Sequence, residues 1–491
     1  MKRRNFIKNT LPLVAAPLVS NNLFASVPNP LSLGSQLFSI PSSHQDRILV
    51  IINLFGGNDG LSTVYNEQPN TSGNPTTSLL YNGNGERKDL LGINDYQINN
   101  SLFFNKMIAD LINLNSNNKL KIIHGVGSPG NTGSHFGSDD IFQMGLRGIA
   151  DLGNREGIIG KYFKKANYPN SIFPPNTLSP PPTSFSTPEG PLAVHVGNRT
   201  PRSFFTSSFN QYYTVSAGFS NTQTGFGFRQ LQACNYYQDE LDFVNSQFNS
   251  TKGYNDRILD AYMTGIGSTG SYPSNSVLTA LQPTYNTFIN SMKLIETLIK
   301  GGLGSRIYTV NINGFDTHSN QTVQHNALLK TLNDGINHFV NNFDGSSYAV
   351  LGVTFSEFGR RIMQNGTTSS AGSDHGHSSP TFLFGATGTF ANSNTNVLGY
   401  GGLFNGFDSN SQPTFMTQGD ISGGTNTKIE HDYREVYSAI FQKWFGLPTT
   451  DLTDIIAVDT SLIQNQTTLF NHDSSLGNNL TNVGKIMQLI I

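Results

Sequence analysis

Four long apolar runs place the strongest limit on how this chain can fold. They cover residues 47–55, 120–126, 306–313 and 348–355, and a shorter run covers 192–196. Nearly continuous apolar runs of this length are typical of parallel strands that are buried on both faces. Segments with helical spacing lie near 100–114, within 230–300 and again after 320. We therefore predict an α/β fold with a mainly parallel central sheet and helices on both faces.

Acidic side chains follow three of these runs. Asp59 follows the first run, Asp316 follows the third with His318 two residues later, and Glu357 follows the fourth. Ligands of open α/β sheets bind at the carboxyl ends of the strands, so we expect these side chains to converge there. The alternative is turn chemistry, because an Asn-Asp-Gly sequence such as the one around Asp59 also suits a tight turn.

The densest group of potential ligands lies at residues 373–377, which read Ser-Asp-His-Gly-His. A carboxylate beside two histidines suits a divalent metal, whereas a polar loop with backbone-bonded histidines is the alternative. Two carboxylates about 4 Å apart repel by roughly 4 kcal/mol at an effective dielectric constant of 20, so converging acids need a cation, a raised pKa or an arginine. Arg360 can serve a bound anion or a carboxylate. The predicted metal ligands are Asp59, Asp316, His318, Glu357, Asp374, His375 and His377.

A loop rich in glycine and serine follows the second run and leads into a predicted helix. Its hydroxyl groups at Thr132 and Ser134 lie just before the helix. Backbone N–H groups at a helix N-terminus attract anions, and a hydroxyl there becomes a nucleophile if a metal or base lowers its pKa. The alternative is a simple N-cap, since Ser and Thr are favoured at that position.

The N-terminus predicts export. Arg3 and Arg4, followed by a short apolar stretch, are typical of a twin-arginine signal, to which we assign residues 1–26. Prolines interrupt that stretch, which is too short to span a membrane. We expect export through the twin-arginine pathway to the periplasm or the extracellular space. Residues 27–45 then form a linker, and 46–491 form a single domain in which 166–300 is a Pro-rich loop and a helical insertion.

The composition narrows the range of partners. Only 13% of residues are charged and the net charge is −2, so nothing favours binding to nucleic acid or to an anionic membrane surface. The single cysteine, Cys234, excludes an internal disulfide and a metal site built from cysteines. A small-molecule or glycan ester, or a protein partner, remains compatible with the polar, weakly charged surface.

The motifs at the strand ends resemble those of a known family. They are Phe55-Gly56-Gly57-Asn58-Asp59-Gly60, Ser134-His135-Phe136, Phe315-Asp316-Thr317-His318, Ser356-Glu357-Phe358-Gly359-Arg360, Ser373-Asp374-His375-Gly376-His377 and Asp432-Tyr433-Arg434. The family is a set of twin-arginine-exported bacterial proteins of unknown function (domain of unknown function "fifteen-oh-one"). It is similar to the alkaline phosphatase and sulfatase superfamily.

This resemblance implies an alkaline-phosphatase-like fold and a site for two divalent metal ions, for which zinc, manganese, calcium and iron are all suitable. One metal would take Asp59, the nucleophile, Asp374 and His375, and the other would take Asp316, His318 and His377. Ser134 aligns best with the nucleophile, with Thr132 in reserve. This chain departs from the superfamily at Gly133, where relatives carry an arginine. It also departs in the close spacing of Asp316 and His318.

Two functions are compatible with these residues. The first is an exported metal-dependent hydrolase of phosphate or sulfate esters. The second is a non-catalytic exported protein that keeps the fold in order to bind a glycan or a protein. The sequence leaves open whether the chain is an enzyme.

Overall fold

The structure is a computed structural model. It describes residues 47–66, 87–90, 95–99, 102–148, 156–167, 191–197, 199–205, 212–215, 255–274, 281–391, 396–398, 426–427, 429–456 and 486–490. The predicted signal peptide, the linker, the Pro-rich loop at 168–190 and Cys234 lie outside these residues. None of the described helices is long and apolar enough to cross a membrane.

The strands are β1 (Arg47–Phe55), β2 (Val64–Asn66), β3 (Tyr96–Asn99), β4 (Leu102–Asn105), β5 (Leu120–Gly127), β6 (Ala193–Val196), β7 (Tyr212–Val215), β8 (Ile307–Asn313), β9 (Ala349–Phe355), β10 (Arg360–Asn365), β11 (Gly372–His375), β12 (Ser378–Gly385), β13 (Val397–Leu398) and β14 (His431–Asp432). The α-helices are α1 (Gly60–Thr63), α2 (Ala109–Ser116), α3 (His135–Met144), α4 (Ile158–Asn167), α5 (Gln282–Lys300), α6 (Gln321–Phe343), α7 (Tyr433–Ala439) and α8 (Thr449–Ile455). Residues 255–265 are also helical.

The central sheet has the strand order β13-β5-β12-β9-β1-β8-β6-β7, and β14 also pairs with β5. Strand β1 pairs in parallel with both β8 and β9. Only β12 runs antiparallel to its neighbours β5 and β9, so the carboxyl ends of β5, β9, β1 and β8 lie at one edge. The predicted mainly parallel sheet is therefore confirmed.

The sheet buries apolar side chains on both faces. Along β1, Leu49 and Ile51 belong to one core cluster together with residues of α3, α4 and α7. Val50 and Ile52 belong to a second cluster together with residues of α2, α5 and α6. This alternation follows from the two-residue period of a strand and explains why the run is continuously apolar. The predicted α/β class with helices on both faces is confirmed.

The structure differs from two of the predictions made from the sequence. The helix predicted at 100–114 begins later, because Leu102–Asn105 forms β4 and pairs with β2 and β3 in a small separate sheet. Strand pairing thus overrides local helical spacing there. Within the segment 166–300, β6 and β7 join the central sheet and α5 packs in its apolar core.

Buried histidines make stability depend on pH. His124 on β5 is fully buried, and burial lowers its pKa to about 3; burial likewise lowers the pKa of His195 and of His325 to about 4. Each imidazole takes up a proton below pH about 6.5 only after unfolding. The free energy of unfolding should therefore fall as the pH drops from about 6.5 towards 4, by up to ~1.4 kcal/mol per pH unit for each histidine.

Urea denaturation at several pH values measures this effect. His124→Leu should lower the number of protons that the chain takes up on unfolding by about one, because one buried base is lost. A variant that keeps the wild-type pH slope would contradict the assignment.

Candidate metal centre

Four chain segments bring side chains together at the carboxyl edge of the sheet, next to the end of β1. Asp316 follows β8, Glu357 follows β9, His135 begins α3 after β5, and His375 ends β11. The close approach requires glycine at position 56: it has φ of 122°, and a Cβ there would lie 2.3 Å from the backbone nitrogen of Asp316. Gly56, which directly follows the first apolar run, thus lets the end of β1 lie against the backbone of Asp316.

A buried carboxylate fixes the ring of His135. The Nδ1 atom of His135 lies 2.7 Å from Oε1 of Glu357, which also accepts a hydrogen bond from the Gly56 amide at 2.8 Å. An ionised carboxylate only accepts hydrogen bonds, so Nδ1 carries the proton and donates it. This hydrogen bond is the main reason that the pKa of His135 is raised, although partial burial opposes the shift.

The other nitrogen of His135 points at the carboxylate of Asp316. Its Nε2 atom is buried, has no hydrogen-bond partner among the residues that the structure describes, and lies 3.3 Å from Oδ2 of Asp316. With the proton on Nδ1, the neutral ring directs the Nε2 lone pair towards an anion. A cation between the two groups, or a second proton on the ring, would remove that repulsion.

His318 and His375 repeat this arrangement. Nδ1 of His318 lies 3.0 Å from Oδ1 of Asp374, and Nδ1 of His375 lies 2.7 Å from the carbonyl oxygen of Gly133. Each acceptor holds the proton on Nδ1. The two Nε2 atoms are 3.0 Å apart, so in the neutral rings two lone pairs face each other. Such a contact needs a cation or a shared proton.

Asp316 is the common partner of these rings. Its Oδ1 atom lies 3.1 Å from Nε2 of His318 and from Nε2 of His375, and 2.7 Å from Nη2 of Arg360. Partial burial opposes ionisation, but the hydrogen bond from Arg360 and the charge of its guanidinium outweigh it and lower the pKa of Asp316 to about 2. Asp316 is therefore an anion at neutral pH.

His135, Asp316, His318 and His375 form one cluster, in which three side chains fit a metal ion together and His318 lies beside them. Ligand atoms of His135, Asp316 and His375 lie within 4.8 Å of one another. Metal-binding histidines usually donate their second ring N–H to a carboxylate or a backbone carbonyl, as all three rings do here. The side chains of His318 and Asp316 are 45% and 46% exposed, so the cluster is open to solvent on one side.

The structure divides the predicted ligands into three groups. Asp316, His318 and His375 meet in the cluster. Glu357 and Asp374 hold Nδ1 protons of two rings and do not face the cluster themselves. Asp59 and His377 are not brought into it: Asp59 is fully buried and pairs with Arg87, and within the part of the chain that the structure describes His377 does not join the metal-binding group of His135, Asp316 and His375.

The buried carboxylate of Asp59 is ionised through its neighbours. Burial alone would raise its pKa, but the charge of Arg87 and the hydrogen bonds from Ser62 lower it. Asp59 also caps α1, accepting from the amides of Leu61 at 3.1 Å and Ser62 at 3.4 Å.

Arg360 connects backbone segments. Its guanidinium donates to the carbonyl oxygens of Gly57 at 3.0 Å, Ser373 at 2.8 Å and Phe315 at 2.9 Å, and also to that of Gly56. Of the two roles expected from the sequence, the structure gives Arg360 the carboxylate partner, Asp316.

The two predicted nucleophiles lie on the loop before α3. Ser134 is the N-cap residue of this helix, is exposed, and makes no side-chain capping hydrogen bond. The Thr132 hydroxyl accepts from the Ser134 amide at 3.2 Å and lies 3.5 Å from the hydroxyl of Ser138. Ser134 is therefore the less constrained hydroxyl of the two.

His135 is the site residue that the ligand prediction missed. The sequence-based prediction takes only the serine of the Ser-His-Phe motif as a site residue. A signal was available, because the loop after the second apolar run is also a strand-end loop and contains this histidine.

Glu357→Gln should weaken metal binding about 10–100-fold without abolishing it, which is the usual effect of changing a partner of a metal-binding histidine. The amide keeps the size of the side chain but lacks the charge that holds the His135 proton. Competition with a chelator measures the affinity. Asp95→Asn, at an exposed position, is the control, and equal affinities of both variants would contradict the role of Glu357.

A family model matches the part of the chain that contributes most of the site residues. Residues 255–455 match the DUF1501 family model. Its description is "Protein of unknown function (DUF1501)". The resemblance read from the motifs is confirmed over this stretch, which includes Asp316, Glu357, Arg360 and His375. The match names no activity, and the twin-arginine signal stays a prediction.

Among solved structures, the lipoteichoic acid synthase LtaP from Listeria monocytogenes is similar to this chain. The TM-score is 0.31 and the sequence identity 9%, over 79% of this chain and 73% of that chain. No curated protein matches the chain.

Proposed function

We propose that this chain is a metal-dependent hydrolase of phosphate or sulfate esters. The observation that supports it most is the orientation of three imidazoles, whose Nε2 atoms converge on Asp316 while their Nδ1 atoms are held by other acceptors. His135, Asp316, His318 and His375 would hold the metal. The solvent-open side leaves room for a substrate, as catalytic metal sites require.

The donor set narrows the choice of metal. Three imidazole nitrogens and one carboxylate suit zinc, iron or manganese better than calcium, which prefers six to eight oxygen ligands. A divalent ion bound there supplies Lewis-acid polarisation of an ester oxygen.

The residues around the cluster suit an anionic ester. Helix α3 has ten residues and begins at His135, so its first amides and its dipole favour a phosphate or sulfate group beside the cluster. The hydroxyl of Ser134 lies at the same helix end and makes no capping hydrogen bond. It is our proposed nucleophile. Phe136 follows, with its side chain 81% exposed, and offers an apolar surface to the organic part of the ester.

One observation favours the second candidate, a non-catalytic binding protein. Asp59 and Arg360 were both expected to serve chemistry, yet their polar atoms contact other protein groups. A glycan or protein ligand could then use Phe136 without turnover. For both candidate functions we propose that the protein is exported through the twin-arginine pathway.

Hydrolysis assays decide between the two candidates. The purified protein, saturated with zinc, manganese or iron, should hydrolyse aryl phosphate or aryl sulfate esters. His375→Ala should lose both metal and turnover, whereas Ser134→Ala should keep the metal and lose turnover. A protein that binds metal but hydrolyses no phosphomonoester, phosphodiester or sulfate ester would favour the binding protein instead.

A further inference from the structure

Asp59 stands where the resemblance expects a ligand of one of two metal ions, but it is paired with an arginine. It follows β1, the strand between β8 and β9 in the sheet. Its carboxylate forms an ion pair with Arg87, and both side chains are 0% exposed. This raises the question of how many metal ions the edge of the sheet can bind.

The carboxylate of Asp59 has no acceptor position left for a metal. Oδ1 accepts from two amides of α1, and Oδ2 accepts from the Ser62 hydroxyl at 2.8 Å. Oδ2 also accepts from Arg87 and from the amide group of Gln321. A carboxylate offers about four lone-pair positions, so five donors saturate it.

Arg87 is held in place by more than its charge. One terminal nitrogen, Nη1, donates to the carbonyl oxygens of Arg361 at 2.8 Å and Ile362 at 3.0 Å on β10. The other, Nη2, also donates to the Ser62 hydroxyl at 3.1 Å. Two residues later, Asp89 and Gln364 exchange two hydrogen bonds at 2.9 and 2.8 Å. The segment 87–90 is thus built to deliver one guanidinium to Asp59.

A chain of side chains separates Asp59 from the metal centre. Gln321 contacts Asp59 and accepts from the Ser373 hydroxyl. The carbonyl oxygen of Ser373 accepts from Arg360, which in turn contacts Asp316. Two-metal sites hold their ions roughly 3.5–4 Å apart. Here Asp59 and Asp316 are each paired with their own guanidinium, and Gln321 and Ser373 connect the two pairs.

We propose that Arg87 takes the place of a second metal ion, so that this protein binds one divalent ion and Asp59 binds none. The proposal rests on the metal centre of the proposed function. It predicts that the guanidinium of Arg87 stays paired with Asp59. A single exchangeable metal ion then binds at His135, Asp316, His318 and His375.

Metal stoichiometry tests the proposal. The full chain is saturated separately with zinc and manganese, desalted, and measured by elemental mass spectrometry. About one equivalent per chain supports the proposal, as in sites with a single catalytic metal. Two equivalents overturn it but leave the proposed hydrolase intact, and no bound metal overturns both.

Variants locate the ion. Asp59→Asn should still bind about one equivalent, whereas His375→Ala should bind none. A folded Asp59→Asn protein that has lost its metal, with folding checked by circular dichroism, overturns the proposal. If Asp59→Asn does not fold, the wild-type stoichiometry still decides.

Arg87→Ala gives a readout that is independent of the metal centre. The variant should have a lower melting temperature, which millimolar guanidinium chloride should partly restore and sodium chloride at equal ionic strength should not. The control is Arg199→Ala, at an exposed position, which guanidinium should leave unchanged. No rescue of Arg87→Ala by guanidinium contradicts the view that this cation fills a built site.

Discussion

Replacing Asp316 with asparagine should abolish metal binding by this protein. Asp316 is the only carboxylate in the cluster, and its anion lies 3.1 to 3.3 Å from Nε2 of all three histidines. The amide is neutral and directs either its NH2 group or its oxygen at the rings. Changing a partner outside the ligand shell weakens metal binding about 10–100-fold, so losing the charged ligand should exceed 100-fold.

Isothermal titration with zinc, and elemental analysis after desalting, measure this loss. Asp260→Asn is the matched control, because Asp260 is an exposed aspartate on the helical segment 255–265. Asp316→Asn should remain folded, since its side chain is nearly half exposed. An asparagine variant that retains one tightly bound ion would show that the histidines alone form the site, and our assignment of Asp316 would be wrong.

Arg360→Ala should cause the largest loss of stability among the site residues. The buried guanidinium donates to four backbone carbonyls, at Gly56, Gly57, Phe315 and Ser373, and to Asp316. A buried acceptor left without its donor costs about 1–3 kcal/mol. The free energy of unfolding should therefore fall by about 4 kcal/mol or more. The metal should bind more weakly as well, because Asp316 loses its anchor.

Urea denaturation measures the loss of stability. Arg360→Lys should recover only part of it, because an ammonium group cannot reach carbonyls in the fixed directions of a planar guanidinium. Arg199→Ala removes the same side chain from an exposed position and should change the free energy of unfolding by less than about 0.5 kcal/mol. If Arg360→Ala were as stable as this control, Arg360 would be free for a role with a bound anion.

Comparing Asp316→Asn with Arg360→Ala distinguishes a metal ligand from a residue that holds the ligand in place. Asp316→Asn removes the metal and leaves the fold, whereas Arg360→Ala weakens the fold first and the metal through it. Glu357→Gln lies between them, because it keeps both the fold and a weakened site. This order follows from the contacts of each group: Asp316 faces the cluster, Glu357 faces one ring, and Arg360 faces the backbone.

The sequence by itself determined the fold class and the location of the site. Continuous apolar runs indicate strands buried on both faces, and the carboxyl ends of parallel strands share one edge. The sequence therefore predicted that Asp316, His318 and His375 lie at the same edge of the sheet, although the resemblance assigned His375 to a different metal ion from Asp316 and His318. The sequence could also find the loop before α3, because glycine and serine precede a helical pattern there.

Only the tertiary structure decided which group faces the candidate metal centre and which supports it. Asp374 and Glu357 are acids beside strand ends, like Asp316, but they contact Nδ1 atoms of histidines far away in the chain. Arg87 reaches Asp59 across a segment that carries no apolar pattern. Side-chain pairing of this kind depends on how separate loops are brought together, and residue spacing along the chain does not encode those directions.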